Sequence, residues 1–257
     1  MTKAKVSNVQ MKRLIEESNH LFAYEGKLTI ALQKIDQALR ISPTNTEALV
    51  IKGRVLFHSD RTEEALRCFD RAISIDSACG EAFLERARIL YAVRQENKKA
   101  LREVRRALAR AGRARWVKVE ALRLQGHILA ALEQDDQAIA SYRAALRLKP
   151  KDAHTRRALS DTLLTVGQPA KALRELDRAL QILNAEKTPN HLDLGFTAAS
   201  KAEALNALGR HFEALRVIEI GLKQVRNRIS REGLQVLRNQ TRRLLREDGA
   251  KLHKRER

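Results

Sequence analysis

Seven histidines and two cysteines are the side chains suited to metal ligation, nucleophilic attack or proton transfer near neutral pH in this 257-residue chain. His20, His58, His127, His154, His191, His211 and His253 contain no HExxH or comparable metal-ligand spacing, and no GxSxG elbow or glycine-rich phosphate loop accompanies them. Cys68 and Cys79 stand eleven positions apart, without the CxxC spacing of a zinc site or dithiol pair. No catalytic residue, metal site or cofactor is therefore assigned, and the chain is read as a non-enzyme. What remains is noncovalent chemistry, and arginine dominates it: 50 Lys plus Arg oppose 31 Asp plus Glu, a formal net charge of +19. A balance of that size makes an acidic partner or surface plausible.

The charge is unevenly placed. Residues 1–97 sum to +2, 98–118 to +8, 119–222 to +1 and 223–257 to +8. The first basic block contains Lys98, Lys99, Arg102, Arg105, Arg106 and Arg110, opposed only by Glu103; the second contains Arg238, Arg242 and Arg243. Both fit a solvated face as well as a polyanion site, and Lys251 to Arg257 read as a frayed tail. Against single-stranded nucleic acid stands the 4% aromatic content, which leaves few platforms for stacking bases.

These side chains need elements to hold them, and the composition specifies helices. Apolar residues make up 44% of the chain, enough for a packed core, while 11 Gly and 4 Pro are too few for a turn-rich all-β fold. A triplet then recurs six times at spacing four and three: Ala31, Ile35, Ala38; Ala65, Phe69, Ala72; Ala100, Val104, Ala107; Ala138, Tyr142, Ala145; Ala172, Leu176, Ala179; and Ala214, Ile218, Gly221. Residues so spaced share one helical face, and a small-large-small face lets a second helix approach closely. Upstream of each triplet lies a partner segment, such as Leu49 with Gly53 and Leu56, joined by a polar turn too short for anything but an antiparallel hairpin. The small residue of the partner segment falls at 19, 53, 87, 126, 160 and 202, so two steps exceed 34 residues. The surplus, near Arg94 to Arg115 and Glu186 to His191, predicts irregular connections or extended helix ends, with a hinge at Thr188, Pro189 and Asn190.

Leu122, Gln125, Gly126, Leu129, Ala138, Tyr142, Ala145 and Pro150 resemble the tetratricopeptide repeat, a 34-residue helix-turn-helix family; the copies containing Gly26 and Gly53 match as well. The resemblance implies an all-α fold, a right-handed α-α superhelical solenoid of six hairpins plus a C-terminal capping helix. The expected organisation is an N-terminal extension at 1–11 and repeats at approximately 12–45, 46–79, 80–118, 119–152, 153–194 and 195–228. A capping helix at 229–248 and a basic tail at 249–257 follow. A solenoid needs such a cap because its last repeat otherwise exposes an apolar face.

In that family one face of each first helix lines a concave groove. The matching positions here include His20, Arg54, Phe57, Arg88, Tyr91, Arg123, His127 and Arg157. Arginines beside aromatic rings can grip a carboxylate while the ring covers an apolar side chain, which suits an extended or helical peptide of acidic character. The expected function is thus a noncatalytic scaffold or adaptor for a protein partner, with nucleic acid or another polyanion on the basic blocks as the alternative. The lysine and asparagine clamp by which some family members hold chaperone C-termini is replaced by Glu16, His20, Val50 and Arg54. Trp116 is expected to pack at the junction of the third and fourth repeats. No apolar run reaches the roughly 18 residues of a membrane span, Met1 to Val9 lack a secretory signal, and the cysteine usage points to the cytoplasm.

Overall fold

The computed structural model describes residues 3–186, 188 and 190–255, with side chains from 7 to 248. Among the described residues there are thirteen α-helices and no strand: α1 (Lys3–Ala23), α2 (Leu28–Ile41), α3 (Thr46–His58), α4 (Thr62–Ile75), α5 (Gly80–Ala92), α6 (Asn97–Arg110), α7 (Arg115–Ala131), α8 (Asp135–Leu148), α9 (Ala153–Thr165), α10 (Pro169–Asn184), α11 (His191–Ala207), α12 (His211–Gln224) and α13 (Arg228–Arg255). The fold class is all-α, of the helix-hairpin solenoid type. The chain forms two compact units, residues 1–128 and 129–257.

In the first unit α1 pairs with α2, α3 with α4 and α5 with α6, and α7 enters the unit as far as Ile128. The repeated triplets explain the pairing. Ala31, Ile35, Ala38, Ala65, Phe69, Ala72, Ala100, Val104 and Ala107 are all at most 1% exposed. Burying a side chain the size of Ile35 or Phe69 contributes about 1.5–3 kcal/mol. The alanines matter for what they lack, since bulk there would hold the partner helix away. Gly53 shows this at its limit: a Cβ on it would come within 3.0 Å of three ring atoms of Phe69.

In the second unit α9 pairs with α10 and α11 with α12, α8 packs on α9, and α13 closes against α11 and α12. Leu234 of α13 is fully buried and Leu237 nearly so, within the cluster that contains Leu205, Ile218 and Leu222. Gly195 makes the approach of α13 possible, because a Cβ there would collide with Ser230.

The turn after each first helix uses one residue with positive φ: Gly26, Asp60, Gln95, Glu133, Gly167 and Gly209, at φ from 53° to 71°. Three are glycines, which pay no Cβ penalty there; the other three accept it to keep the turn. Asn45 and Asn190 cap the next first helices through their side-chain oxygens, Asn45 accepting from Ala48 N at 2.8 Å.

The long repeat steps come mainly from helix length: α7 and α11 each have 17 residues where α3, α5 and α9 have 13, an extra turn at the N-terminal end, and α10 has 16 where α4 and α8 have 14. Of the expected hinge, Pro189 lies outside the described residues. Residues 3–11 of the expected N-terminal extension are helical and continuous with the rest of α1, and Met11 is buried. The expected cap continues past 248 as helix to Arg255, and the side chains of the basic tail lie outside the described residues.

Candidate functional site

Side chains of α3, α5 and α7 converge on a cleft of about 640 Å³ in the first unit, lined by Arg54, Phe57, His58, Glu85, Arg88, Tyr91, Ala92, Trp116, Glu120 and Leu124. The repeat places them: Arg54 and Phe57 on α3 lie 34 residues before Arg88 and Tyr91 on α5, so identical helix geometry brings the same chemistry to one face. Phe57 and Tyr91 are partly buried, whereas Trp116 is 48% exposed at the start of α7. Trp116 therefore lines the cleft and is not packed away at a repeat junction. The lengthened N-terminal end of α7 is what carries its ring there.

The arginines of the cleft already face carboxylates. Arg88 donates through Nη2 to Glu120 Oε2 at 2.7 Å, and its Nε lies 3.5 Å from Glu85. Arg54 stacks 5.3 Å from the centre of the Phe22 ring, with its nitrogens 3.8 Å from Glu81 and 4.0 Å from Glu85. Arg123 pairs with Glu120 in turn. His58 meets the Phe22 and Phe57 rings edge-on, with centroids 5.0 and 5.8 Å away.

Burial and the neighbouring guanidinium groups pull these acids in opposite directions. Desolvation pushes Glu81 up to about 7, aided by the charges of Glu85 and Glu47 and opposed by Arg54. Desolvation likewise raises Glu85, against the pull of Arg88 and Arg54. Glu120 is also desolvated, yet Arg123 and Arg88 together hold it below the usual carboxylate range. The cleft thus offers rings and a carboxylate-guanidinium ladder.

Of the groove residues expected from the sequence, Arg54, Phe57, Arg88 and Tyr91 line this cleft, and Arg123 reaches its edge through Glu120. His127 is half-buried farther along α7. His20 lies against its own turn, with Nδ1 3.2 Å from Glu25 and its ring 5.2 Å from Tyr24. Arg157 belongs to the second unit, where it sits 5.7 Å from the Phe196 ring and 3.5 Å from Asp161. Burial raises Asp161 although Ser200 donates to it at 2.9 Å and Arg157 is close; burial and the Asp161 charge raise Glu203. His58, Glu85 and Trp116 were not expected at the site. Glu85 had a signal, standing three residues before Arg88 on the same helix, the spacing of an intrahelical ion pair.

The basic blocks are partly engaged. Arg110 stacks 4.9 Å from the Phe83 ring and donates to Ser77 O at 2.7 Å; Arg106 pairs with Glu103 and Lys99 with Glu96. Lys98, Arg102 and Arg105 are exposed and have no ion pair among the described residues. Arg238 and Arg242 approach Glu219 at 3.6 and 3.8 Å, and Arg243 bonds to Glu247 at 2.8 Å. Among the described residues no group of three His, Cys, Asp or Glu is placed to hold a metal ion, and no helix is long and apolar enough to cross a membrane.

Family models of the tetratricopeptide repeat match residues 20–79 and 119–152. The chain is a tetratricopeptide repeat protein. Solved tetratricopeptide-like structures resemble it along nearly its whole length. PilW, a type IV pilus biogenesis factor, gives a TM-score of 0.74 at 18% identity, covering 92% of this chain and 99% of that one. The structure of Pseudomonas aeruginosa pilF gives 0.71 at 14% identity, covering 90% and 98%. Such identities show the shared fold alone. A curated relative, the DnaJ homolog subfamily C member 7 homolog of Schizosaccharomyces pombe, is 24% identical over 209 residues, 79% of this chain. The match spans only 36% of that relative's length. The tetratricopeptide fold supports a protein-protein interaction scaffold.

Proposed function

We propose that this tetratricopeptide repeat protein is a noncatalytic adaptor whose first unit holds an extended or helical segment of a partner protein in the cleft between α3, α5 and α7. The ring-lined cleft carries this reading. Phe57, Tyr91 and Trp116 expose apolar faces around a space of about 640 Å³, within the roughly 300–1,000 Å³ of ligand-holding clefts. Aromatic side chains anchor interfaces because they bury much area for little lost rotamer freedom. The ladder linking Arg54, Glu85, Arg88 and Glu120 fixes the polar rim in advance, which lowers the ordering cost of binding. An acidic residue of the partner would enter by displacing one of those carboxylates, so the rings supply the anchor and the arginines the register. The free thiols of Cys68 and Cys79, both raised by burial, suit a cytoplasmic setting.

Selection of peptides from a displayed random library on the full chain tests the proposal. Enriched peptides should carry a large aromatic or aliphatic residue, and their affinity should fall at least about tenfold in the pair Tyr91→Ala with Trp116→Ala. Enriched peptides that bind this variant as well as the wild type would refute the reading. Polyanion binding through Lys98, Arg102 and Arg105 is the competing outcome. Its signature is affinity for a single-stranded oligonucleotide that falls with salt at a log-log slope near about −0.7 per phosphate contact.

A further inference from the structure

The second unit holds a cleft of about 420 Å³ between α8, α9 and α10, lined by none of the residues of the first-unit site. Its rim carries six cationic side chains, Arg143, Arg147, Arg156, Lys171, Arg174 and Arg178, against one carboxylate, Glu175. Glu175 is already committed: Arg156 and Arg178 both pair with it, the latter at 2.8 Å. Arg156 also donates to Pro150 O at 2.8 Å, and its Nε is buried without a hydrogen-bond partner. Lys171 donates to the Gln168 amide oxygen at 2.7 Å. Arg143, Arg147 and Arg174 are exposed and have no ion pair among the described residues. The floor is aliphatic, made by Leu146, Leu159 and Leu163.

The repeat itself provides the control. Clefts at the equivalent position occur between α2, α3 and α4 and between α10, α11 and α12. In each of those an acid on the preceding helix neutralises a lysine on the next, Asp36 with Lys52 at 2.7 Å and Asp177 with Lys201 at 2.6 Å, and a second acid, Glu64 or Glu213, stands on the rim. Counting along the repeat, the place of Asp36 and Asp177 is taken here by Arg143, that of the lysine by Leu159, and that of Glu64 and Glu213 by Lys171. Both acids have become bases, and the half-buried lysine has become apolar floor. Like charges one turn apart, as in Arg143 with Arg147 and Arg174 with Arg178, work against their own helices, and of these four only Arg178 has an ion pair among the described residues, with Glu175.

We propose that this cleft binds an acidic peptide segment that sets an aliphatic side chain on the Leu146, Leu159 and Leu163 floor and places carboxylates against Arg143, Arg147 and Arg174. The planar guanidinium fork matches a carboxylate with two parallel hydrogen bonds, and the aliphatic floor gives the peptide an anchor that charge alone lacks. None of the lining residues is aromatic, so the cleft has no platform for stacking a nucleic-acid base.

The test measures anisotropy of a fluorescein-labelled acidic peptide with one central leucine, titrated with the full chain at about 100 mM salt. The same peptide with serine at the centre and a labelled oligothymidylate are titrated alongside. The proposal expects saturable binding that weakens severalfold with serine and at least about tenfold in Arg143→Glu with Arg174→Glu. Arg102→Glu with Arg105→Glu on α6 changes the net charge equally and should move affinity less than about twofold, as should Tyr91→Ala with Trp116→Ala. Arg143→Ala with Arg174→Ala provides a milder second variant, and circular dichroism verifies that each variant keeps its helices. No saturable binding, equal losses in the two charge-reversed pairs, loss in the Tyr91 and Trp116 pair, or tighter binding of the oligothymidylate would each overturn it.

Discussion

Arg88 on α5 reaches Glu120 on α7, Nη2 to Oε2 at 2.7 Å, so the guanidinium that the repeat pattern offers to a ligand is held by the protein's own next first helix. Both side chains are about three-quarters to two-thirds buried, and a hydrogen bond to a charged group in such a setting contributes about 1.5–3 kcal/mol. Arg88→Ala should therefore lower unfolding stability by about 1–2 kcal/mol, Arg123 remaining to serve Glu120. Urea denaturation followed by circular dichroism would show it; an unchanged midpoint would mean that the ladder contributes nothing.

Stability of the first unit should also depend on pH through Glu81, raised by burial to about 7 from an ordinary value near 4.5. Between those two values the folded chain binds the proton more tightly than the unfolded chain. The contribution of this residue to stability therefore falls as pH rises from about 4.5 to 7 and is level above that. The shift corresponds to about 3 kcal/mol at most. Glu81→Gln should flatten the decline between pH 5 and 8 in thermal melts. A wild-type profile that rises across this window, with no change in the variant, would contradict the assignment.

Gly53→Ala tests the packing rule behind the repeat. The added methyl group meets the Phe69 ring, and overpacking of this kind costs about 1–3 kcal/mol, offset by less than about 1 kcal/mol of improved helix propensity. A loss of stability is expected in denaturant titration, partly recovered by pairing with Phe69→Leu. A stabilised single variant would show that α3 and α4 are not in tight contact at this point.

Arg110 and Arg102 should separate on substitution although both belong to one basic block. Arg110 covers the Phe83 ring and bonds to the Ser77 carbonyl, so Arg110→Ala should cost about 1–2 kcal/mol. Arg102 is exposed and without an ion pair among the described residues, so Arg102→Ala should change stability by less than about 0.5 kcal/mol. Equal effects in chemical denaturation would remove the distinction between structural and available bases.

The fold was legible because the triplets encode packing directly: Ala31, Ile35 and Ala38, and their repeats, mark a buried helical face in the sequence itself. The groove positions Arg54, Phe57, Arg88 and Tyr91 were legible for the same reason, since a fixed repeat fixes a face. The state of those arginines was not, because Glu85 and Glu120 reach them from neighbouring turns and helices and a one-dimensional pattern carries no such distances. Trp116 was misread because its environment depends on where the lengthened α7 begins. The cationic cleft is not legible in the sequence because its bases are spread over three helices in a segment, 119–222, whose net charge is only +1.

Trp116 makes the most direct measurement possible, being the single tryptophan of the chain and standing half-exposed on the wall of the cleft. A selected peptide titrated into the full chain should shift or quench its emission along a saturable curve whose midpoint equals the dissociation constant from calorimetry. Calorimetric binding of such peptides with no change in Trp116 emission would place the partner elsewhere and contradict the account.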